Sequence, residues 1–505
     1  MIAAIAQWPL FLLLTGVAAL SMFVPAAHAL ALESFHEART FFYGGLLLLM
    51  ATGLVGIALS GRTGAARTRH HLLALFAALT ILPLALAVPF HEVVRNTSFL
   101  NAYFEMVSAF TTTGATLFPA PDRLSPTLHL WRALVGWLGG LMMWVAATAV
   151  FLPLNLGGYE VTSRGEPGQH VSSSGQMVLA DPARRWQRAS AVLVPVYAGL
   201  TLALWVMLLI MGDRPLVAFS HAMSTMATSG ISPIGGVQNA GSGLGGEAVI
   251  FLFLTFALSR VTYASDAGIH RSAKVIEDPE LRLGALIVLG VTAVLFLRHW
   301  VGAYDVDEQE NLVGALRAAW GTLFTILSFL TTAGFESTEW AAARDWSGLG
   351  TPGMILMGLA LMGGGAATTA GGVKLLRVYA LYLQGLREME KLVQPSSVSG
   401  ARLRARRIRR QGAVIAWVFF MLFAMSLAVV TLVLTALGIG FEQAITLSVA
   451  SLTTTGPITR LAGDVPVDLL ALAPAVKLVL CAAMVLGRLE MLAIIALLAP
   501  GLWRN

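Results

Sequence analysis

The chain has 505 residues, of which 57% are hydrophobic and only 12% charged, with a formal net charge of +6 and a mean hydropathy of +0.76. So little polar surface excludes a water-soluble globule or a nucleic-acid-binding domain, and a polytopic membrane protein is expected. A single cysteine, Cys481, excludes an intrachain disulfide framework and a Cys-rich metal site.

Windows of about 17 to 25 apolar residues span a bilayer as helices. The first two candidates are 8–32 and 41–60. Ala27-His28-Ala29 resembles a signal-peptidase site, but the stretch lacks a basic leader and its apolar run is long, so a retained helix is expected. Four similar blocks follow, each a spanning helix, a shorter amphipathic segment and a second spanning helix. They are 72–89, 101–110 and 130–156; 189–212, 216–226 and 247–262; 283–297, 312–330 and 351–370; and 413–439, 441–452 and 469–498. The fold class expected is therefore all-α, with ten spans and four segments that enter the membrane without crossing it. The domain limits are 1–70 for the leading pair, 71–187, 188–281, 282–411 (with a basic cytoplasmic loop) and 412–505 for the four repeats.

Charge asymmetry tests that count, because Lys and Arg gather in cytoplasmic loops. Arg62, Arg67 and Arg69 follow the leading pair; Arg164, Arg184, Arg185 and Arg188 follow block one; Arg260, Arg271, Lys274 and Arg282 follow block two; and Arg402, Arg404, Arg406, Arg407, Arg409 and Arg410 follow block three. The opposite loops carry Glu33, Glu37, Asp305, Asp307, Glu308, Glu310, Glu336, Glu339, Asp464 and Asp468. One orientation satisfies every loop, with both termini cytoplasmic, and counting any short segment as a full span breaks it.

Each short segment ends in a related polar run: Thr111-Thr112-Thr113-Gly114-Ala115-Thr116, Ala227-Thr228-Ser229-Gly230-Ile231, Thr331-Thr332-Ala333-Gly334-Phe335 and Thr453-Thr454-Thr455-Gly456-Pro457. A Thr stands two residues before every Gly. Repetition at a near-constant period signals equivalent structural units. Irregular backbone at membrane depth is tolerated only when buried in protein or lining water. The C-terminal end of a half-helix favours a cation, and a ring of carbonyls can replace its hydration shell. Gly permits φ > 0, turning carbonyls inward, while the Thr hydroxyl offers a further oxygen. Small and hydroxylated residues also let helices pack closely in lipid, but four runs in register favour a pore.

With Gly136-Trp137-Leu138-Gly139-Gly140 in block one and Gly487-Arg488-Leu489-Glu490 in the last span, these runs resemble the Trk/Ktr potassium-transport superfamily, and the leading helix pair resembles its Trk-type membrane subunit. The resemblance covers essentially the whole chain. It implies four helix–pore-loop–helix repeats around one pore, potassium uptake across the bacterial cytoplasmic (inner) membrane, a homodimer in the lipid bilayer, and a cytosolic ring of nucleotide-binding regulatory subunits. The implied filter is Thr112-Thr113-Gly114-Ala115, Thr228-Ser229-Gly230-Ile231, Thr332-Ala333-Gly334-Phe335 and Thr454-Thr455-Gly456-Pro457, with Thr112, Thr228, Thr332 and Thr454 as ligands to the transported potassium ion. In relatives a Ser in place of the first filter glycine accompanies sodium transport; all four glycines here favour potassium. Ala333 lacks the hydroxyl present at Thr113 and Thr455, and the residues after the glycines differ, so strict fourfold symmetry is not expected.

The stretch Gly363-Gly364-Gly365-Ala366-Ala367-Thr368-Thr369-Ala370-Gly371-Gly372, followed by Lys374 and Arg377, is too rich in glycine to continue a helix. In the family it corresponds to an intramembrane loop that obstructs the pore; a flexible helix end is the plainer reading. Arg488, an ionised residue deep in a span, faces an interior or cavity, or else snorkels to the interface. Its counterpart in the family meters cations below the filter. Glu490, two residues on, cannot face it on one helix. Glu105 reads as a buttress of the first run or as a surface residue. The 402–410 run is a solvated loop that can also contact anionic lipid or the regulatory partner.

A cation-coupled symporter, with protons or sodium, and a sodium-preferring relative are rival transport readings. An enzyme needs a nucleophile with its base, or metal ligands, at membrane depth. Neither His36-Glu37 nor His91-Glu92 has a second His in register, and no phosphate-binding loop is present. The chain carries no organic cofactor by this reading, and nucleotide control would come from a partner.

Overall fold

A computed structural model describes residues 8–59, 68–154, 156, 158, 182–259, 278–302, 312–348, 350–393, 410–463 and 465–498. The basic stretch 402–409, with Arg62, Arg67, Arg164, Arg260, Arg271, Lys274 and the acidic residues of 305–310, lies outside them.

All regular secondary structure among the described residues is helical, without strands. Helices α1 (Leu10–Ser21), α2 (Phe23–Ala31) and α3 (Phe35–Leu59) form the leading hairpin. The first repeat holds α4 (Thr68–Thr80), α5 (Leu82–Val94), the short α6 (Phe99–Phe110) and α7 (Pro126–Ala146); the second holds α8 (Pro182–Ile210), the short α9 (Pro215–Ala227) and α10 (Gly243–Thr255). The third contains α11 (Pro279–Gly302), α12 (Leu312–Leu330), the peripheral α13 (Trp340–Ser347), α14 (Gly353–Met362) and α15 (Leu375–Val393). The fourth contains α16 (Arg410–Ala436), the short α17 (Phe441–Leu452), α18 (Pro474–Leu489) and α19 (Met491–Leu498).

Local chemistry sets several of these limits. The Ser98 hydroxyl accepts the Asn101 amide at 3.3 Å at the start of α6, and Ser125 accepts that of Leu128 at 3.3 Å before Pro126 opens α7. Pro215 and Pro474 open α9 and α18 where a missing N–H costs nothing.

Each short helix packs within its own repeat, α6 on α5 and α7, α9 on α8, α12 on α11, and α17 on α16 and α18. Each second helix also packs on the short helix of the next repeat: α7 on α9, α10 on α12, α14 on α17, and α18 back on α6. This cyclic order closes the four repeats around one axis. The outer faces stay apolar and uncovered, as Leu47, Leu54 and Ile57 of α3 show at 64%, 68% and 70% exposure, which suits a lipid solvent as apolar as the side chains.

Two expectations need correction, and a third is met by a longer helix than the others. Eight helices among the described residues are long and apolar enough to cross a membrane, and one of these, Val313–Leu330, lies in a segment expected not to cross. Length does not decide its role, because α12 ends in the third polar run at the common axis. The expected span 351–370 stops as helix at Met362, and helix resumes only at Leu375. The expected span 469–498 is not one helix either: it breaks at Glu490, whose φ is 64°.

Candidate functional site

The four short helices deliver their polar runs to one place. An added Cβ at Gly114 would lie 1.8 Å from the Ser229 carbonyl oxygen, one at Gly230 2.3 Å from that of Ala333, one at Gly334 2.7 Å from Pro457 Cγ, and one at Gly456 2.1 Å from the Ala115 nitrogen. The runs therefore touch in the order one, two, three, four, one. The Gly456 amide donates to the Thr113 carbonyl at 2.6 Å across the last of these contacts. Only glycine fits such backbone approaches.

Within the first three runs the backbone alternates in hand, and the fourth shares the left-handed threonine. Thr112, Thr228, Thr332 and Thr454 take φ of 58°, 50°, 59° and 54°, and Gly114, Gly230 and Gly334 take 69°, 65° and 73°. Left-handed residues that alternate with right-handed ones turn successive carbonyls to one side, and for a β-branched Thr this conformation is a stored strain of order 1–3 kcal/mol. Gly456 departs from the expectation: it does not share the positive φ. The strained threonines were not anticipated, because only glycine advertises a positive φ in sequence.

The short helices hold the runs through residues at fixed offsets. The Ser108 carbonyl accepts the amides of Thr113 (2.8 Å) and Gly114 (3.2 Å), and the Ser328 carbonyl accepts those of Ala333 (2.9 Å) and Gly334 (3.2 Å). The Ser108 hydroxyl donates to the Ala115 carbonyl at 2.6 Å, and that of Ser328 accepts the Phe335 amide at 2.6 Å. Ser108, Ser224 and Ser328 each stand six residues before a run glycine, a repeat present in the sequence and overlooked. Nine residues before it stand Glu105, His221 and Thr325, which bind the chain beyond the run. Glu105 is no surface residue: at 1% exposure it accepts from the Thr116 hydroxyl (2.8 Å) and the Leu117 amide (2.5 Å), and pairs with Arg132 Nε at 3.0 Å. His221 meets the Ser232 hydroxyl at 2.8 Å, and the Thr325 hydroxyl accepts the Ser337 amide at 3.3 Å.

One face of the ring opens into a cavity of about 310 Å³, lined by Gly114, Ala115, Gly456, Pro457 and Arg460 among others. Glu336 and Arg460 flank this face. Burial lifts the Glu336 carboxyl above its ordinary range against the pull of Arg460 and Arg344, and burial lowers Arg460.

The other face carries the Thr hydroxyls and is covered by the glycine-rich segment. Helix α14 ends at Gly363 (φ 73°), and the chain returns through Gly372 (φ 73°), where the Val373 amide donates to the Leu361 carbonyl at 2.9 Å. Between these points Ala366 N donates to Glu280 Oε1 (2.8 Å) and Gly365 N to the Ala257 carbonyl (2.9 Å). The tip of the loop touches the runs: the Gly371 amide donates to Thr332 Oγ1 at 2.7 Å, and the Thr369 hydroxyl lies 3.3 Å from that of Thr228 while donating to the Met226 carbonyl at 3.1 Å. Arg488, 5% exposed, donates from Nη1 to the Thr369 carbonyl at 2.6 Å, and Lys374 donates to that of Ala370. Arg488 thus points at the loop instead of snorkelling. Glu490 binds Arg377 at 2.7 Å, and the Arg377 guanidinium also covers the Phe419 ring at 3.7 Å.

The structure therefore assembles all four expected runs, the glycine-rich segment and Arg488 into one centre. Its donors are carbonyls and hydroxyls, hard neutral oxygens that match an alkali ion better than a transition metal.

Comparison with known proteins places similar chains in one group. A family model described as TrkH, cation transport protein, matches residues 248–502. The chain is 31% identical over 425 residues to the Trk system potassium uptake protein TrkH of Vibrio parahaemolyticus, covering 81% of each. It is 29% identical over 434 residues to the Trk system potassium uptake protein TrkI of Halomonas elongata, covering 84% of this chain and 80% of that one. The crystal structure of the potassium transporter TrkH from Vibrio parahaemolyticus superposes with a TM-score of 0.80 at 28% identity, covering 100% of both chains.

Proposed function

The chain belongs to the TrkH family of cation transport proteins, and on that premise we propose that it takes up potassium through the ring formed by its four Thr/Gly runs. One observation carries the reading: the runs touch in cyclic order, Gly114 on Ser229, Gly230 on Ala333, Gly334 on Pro457 and Gly456 on Thr113 and Ala115. A closed ring of main-chain oxygens compensates an ion for lost water. Thr112–Ala115, Thr228–Ile231, Thr332–Phe335 and Thr454–Pro457 form the selectivity filter, and each pore helix turns its C-terminal end, with roughly half a negative charge, toward the ion.

Residues 363–372 act as the gate in this reading. The loop lies across the hydroxyl face of the ring, and Arg488 holds its Thr369 carbonyl while adding positive charge on the ion path. The protein works as a homodimer in the bacterial inner membrane, with both termini and the regulatory nucleotide-binding ring on the cytoplasmic side; the names of its relatives as components of a Trk system support a multi-part assembly. The chain is a transporter and not an enzyme.

The test is flux from proteoliposomes at a fixed gradient, with potassium, sodium and pH varied in turn. Potassium flux well above sodium flux and insensitive to a proton gradient is the expected result. Equal sodium and potassium flux refutes the potassium reading, and sodium flux above potassium flux favours the sodium-preferring alternative, for which the irregular Gly456 is the structural ground; flux driven by a proton or sodium gradient favours coupled symport.

A further inference from the structure

The threonine hydroxyls at the loop-covered face are not equivalent. Thr112 Oγ1 and Thr454 Oγ1 are buried, on residues 0% and 1% exposed, and neither has a hydrogen-bond partner among the described residues. A buried hydroxyl oxygen without a partner costs free energy unless something else uses it. Thr332 Oγ1 is different, because it accepts the Gly371 amide of the loop at 2.7 Å. That N–H places the positive end of a dipole where a cation bound by the threonine ring would lie. Gly371 is pressed into the same site: an added Cβ would lie 2.4 Å from Thr454 Oγ1 and 2.1 Å from the Thr453 carbonyl oxygen.

We propose that the loop and the innermost potassium ion compete for the Thr332 hydroxyl oxygen, so that ion occupancy of the threonine ring displaces the loop. This rests on the filter reading above and adds to it that permeant ion and gate share a ligand. Lys374 and Arg488 complete the exchange. Each donates to one of the two adjacent carbonyls, Ala370 and Thr369, and holds the tip in place against the ring. Two cationic side chains beneath the ring also repel an ion on the other side of the loop, so loop and ion exclude each other electrostatically as well as by shared ligation. Coupling of this kind is reciprocal: the factor by which the ion weakens loop closure is the factor by which closure weakens the ion.

The experiment compares variants by two readouts in proteoliposomes. One is potassium flux. The other is the rate at which a water-soluble methanethiosulfonate modifies a Thr368→Cys reporter in the loop; the native Cys481 is buried and provides a low background. In the parent bearing the reporter, raising potassium in place of N-methylglucamine accelerates modification. Thr112→Val, which removes an ion ligand and no loop contact, shifts that acceleration to higher potassium and leaves modification without potassium unchanged. Thr332→Val removes the contested oxygen, so modification without potassium rises about fivefold, the effect of one lost hydrogen bond on a two-state loop, and its potassium dependence flattens. Thr332→Ser restores the parent behaviour and controls for folding. Modification independent of potassium in a protein that conducts potassium overturns the proposal alone, as does Thr332→Val behaving like Thr112→Val. A folded parent without potassium flux overturns the transport reading and this inference together.

Discussion

Arg377 and Glu490 meet at 2.7 Å, joining the helix that resumes after the loop to the break in the last span. Arg377 is fully buried and Glu490 8% exposed. Neither charge has bulk water to fall back on, so the pair fixes how α15 and α18 sit around the hydroxyl face of the ring.

Removing one partner takes a buried counter-charge from the other. Glu490→Gln or Arg377→Met should each cost about 3–5 kcal/mol, whereas the double variant should cost clearly less than their sum. Thermal unfolding in detergent checks this. Additive losses would mean that the two side chains act independently.

Glycine replacement in the ring should scale with what the new methyl meets. Gly114→Ala drives a Cβ to 1.8 Å from the Ser229 backbone oxygen, whereas Gly334→Ala meets the Pro457 ring at 2.7 Å. Backbone cannot give way as a ring edge can, so Gly114→Ala should lose more of the potassium over sodium preference than Gly334→Ala. Flux ratios for the two ions decide the order.

Glu105 should matter to stability before transport. Glu105→Ala unpairs Arg132, 4% exposed, and frees the Thr116 hydroxyl and Leu117 amide. The expected loss is about 3–5 kcal/mol, with Glu105→Gln intermediate because its carbonyl still accepts. A midpoint unchanged by Glu105→Ala would remove its role as a buttress.

Glu336 gives a dependence on pH whose sign follows from its burial. Its carboxyl is raised above the reference value of 4.5, so the folded protein holds this proton to higher pH than the unfolded chain does. That contribution is full below the unfolded value and is lost as pH rises through the raised folded value. Relative to Glu336→Gln, the unsubstituted protein should therefore lose thermal stability as pH climbs from 4.5 upward. Parallel melting curves, or a relative gain with pH, would contradict the assignment.

Much of this architecture is legible in the residues because each layer repeats. The pore segments 312–330 and 441–452 end as expected, since a polar Thr/Gly run stops each apolar helix. The glycine density at 363–372 likewise marks the gap between Met362 and Leu375. The break at Glu490 is not legible: no Gly or Pro stands there, and its local sequence suits a continuous helix. A tertiary contact with Arg377, 113 positions away, accompanies it. Long-range pairing also hid the contacts of the loop with Thr228 and Thr332, for sequence shows that a loop exists but not what lies above it. The serines six residues before three of the four run glycines were visible as a repeat, yet only their hydroxyl bonds to Ala115, Ser229 and Phe335 give that repeat meaning.

The closing contact of α18 on α6 joins the last repeat to the first within a single polypeptide. An aperture assembled from four separate chains depends on their association, and dilution can take it apart by mass action. Here covalent continuity fixes the stoichiometry at translation, so the calibre of the passage is independent of protein concentration. On the proposed reading it also lets one wall carry a gate latch while two others, at Thr112 and Thr454, keep bare ligands, a division of labour closed to four identical subunits.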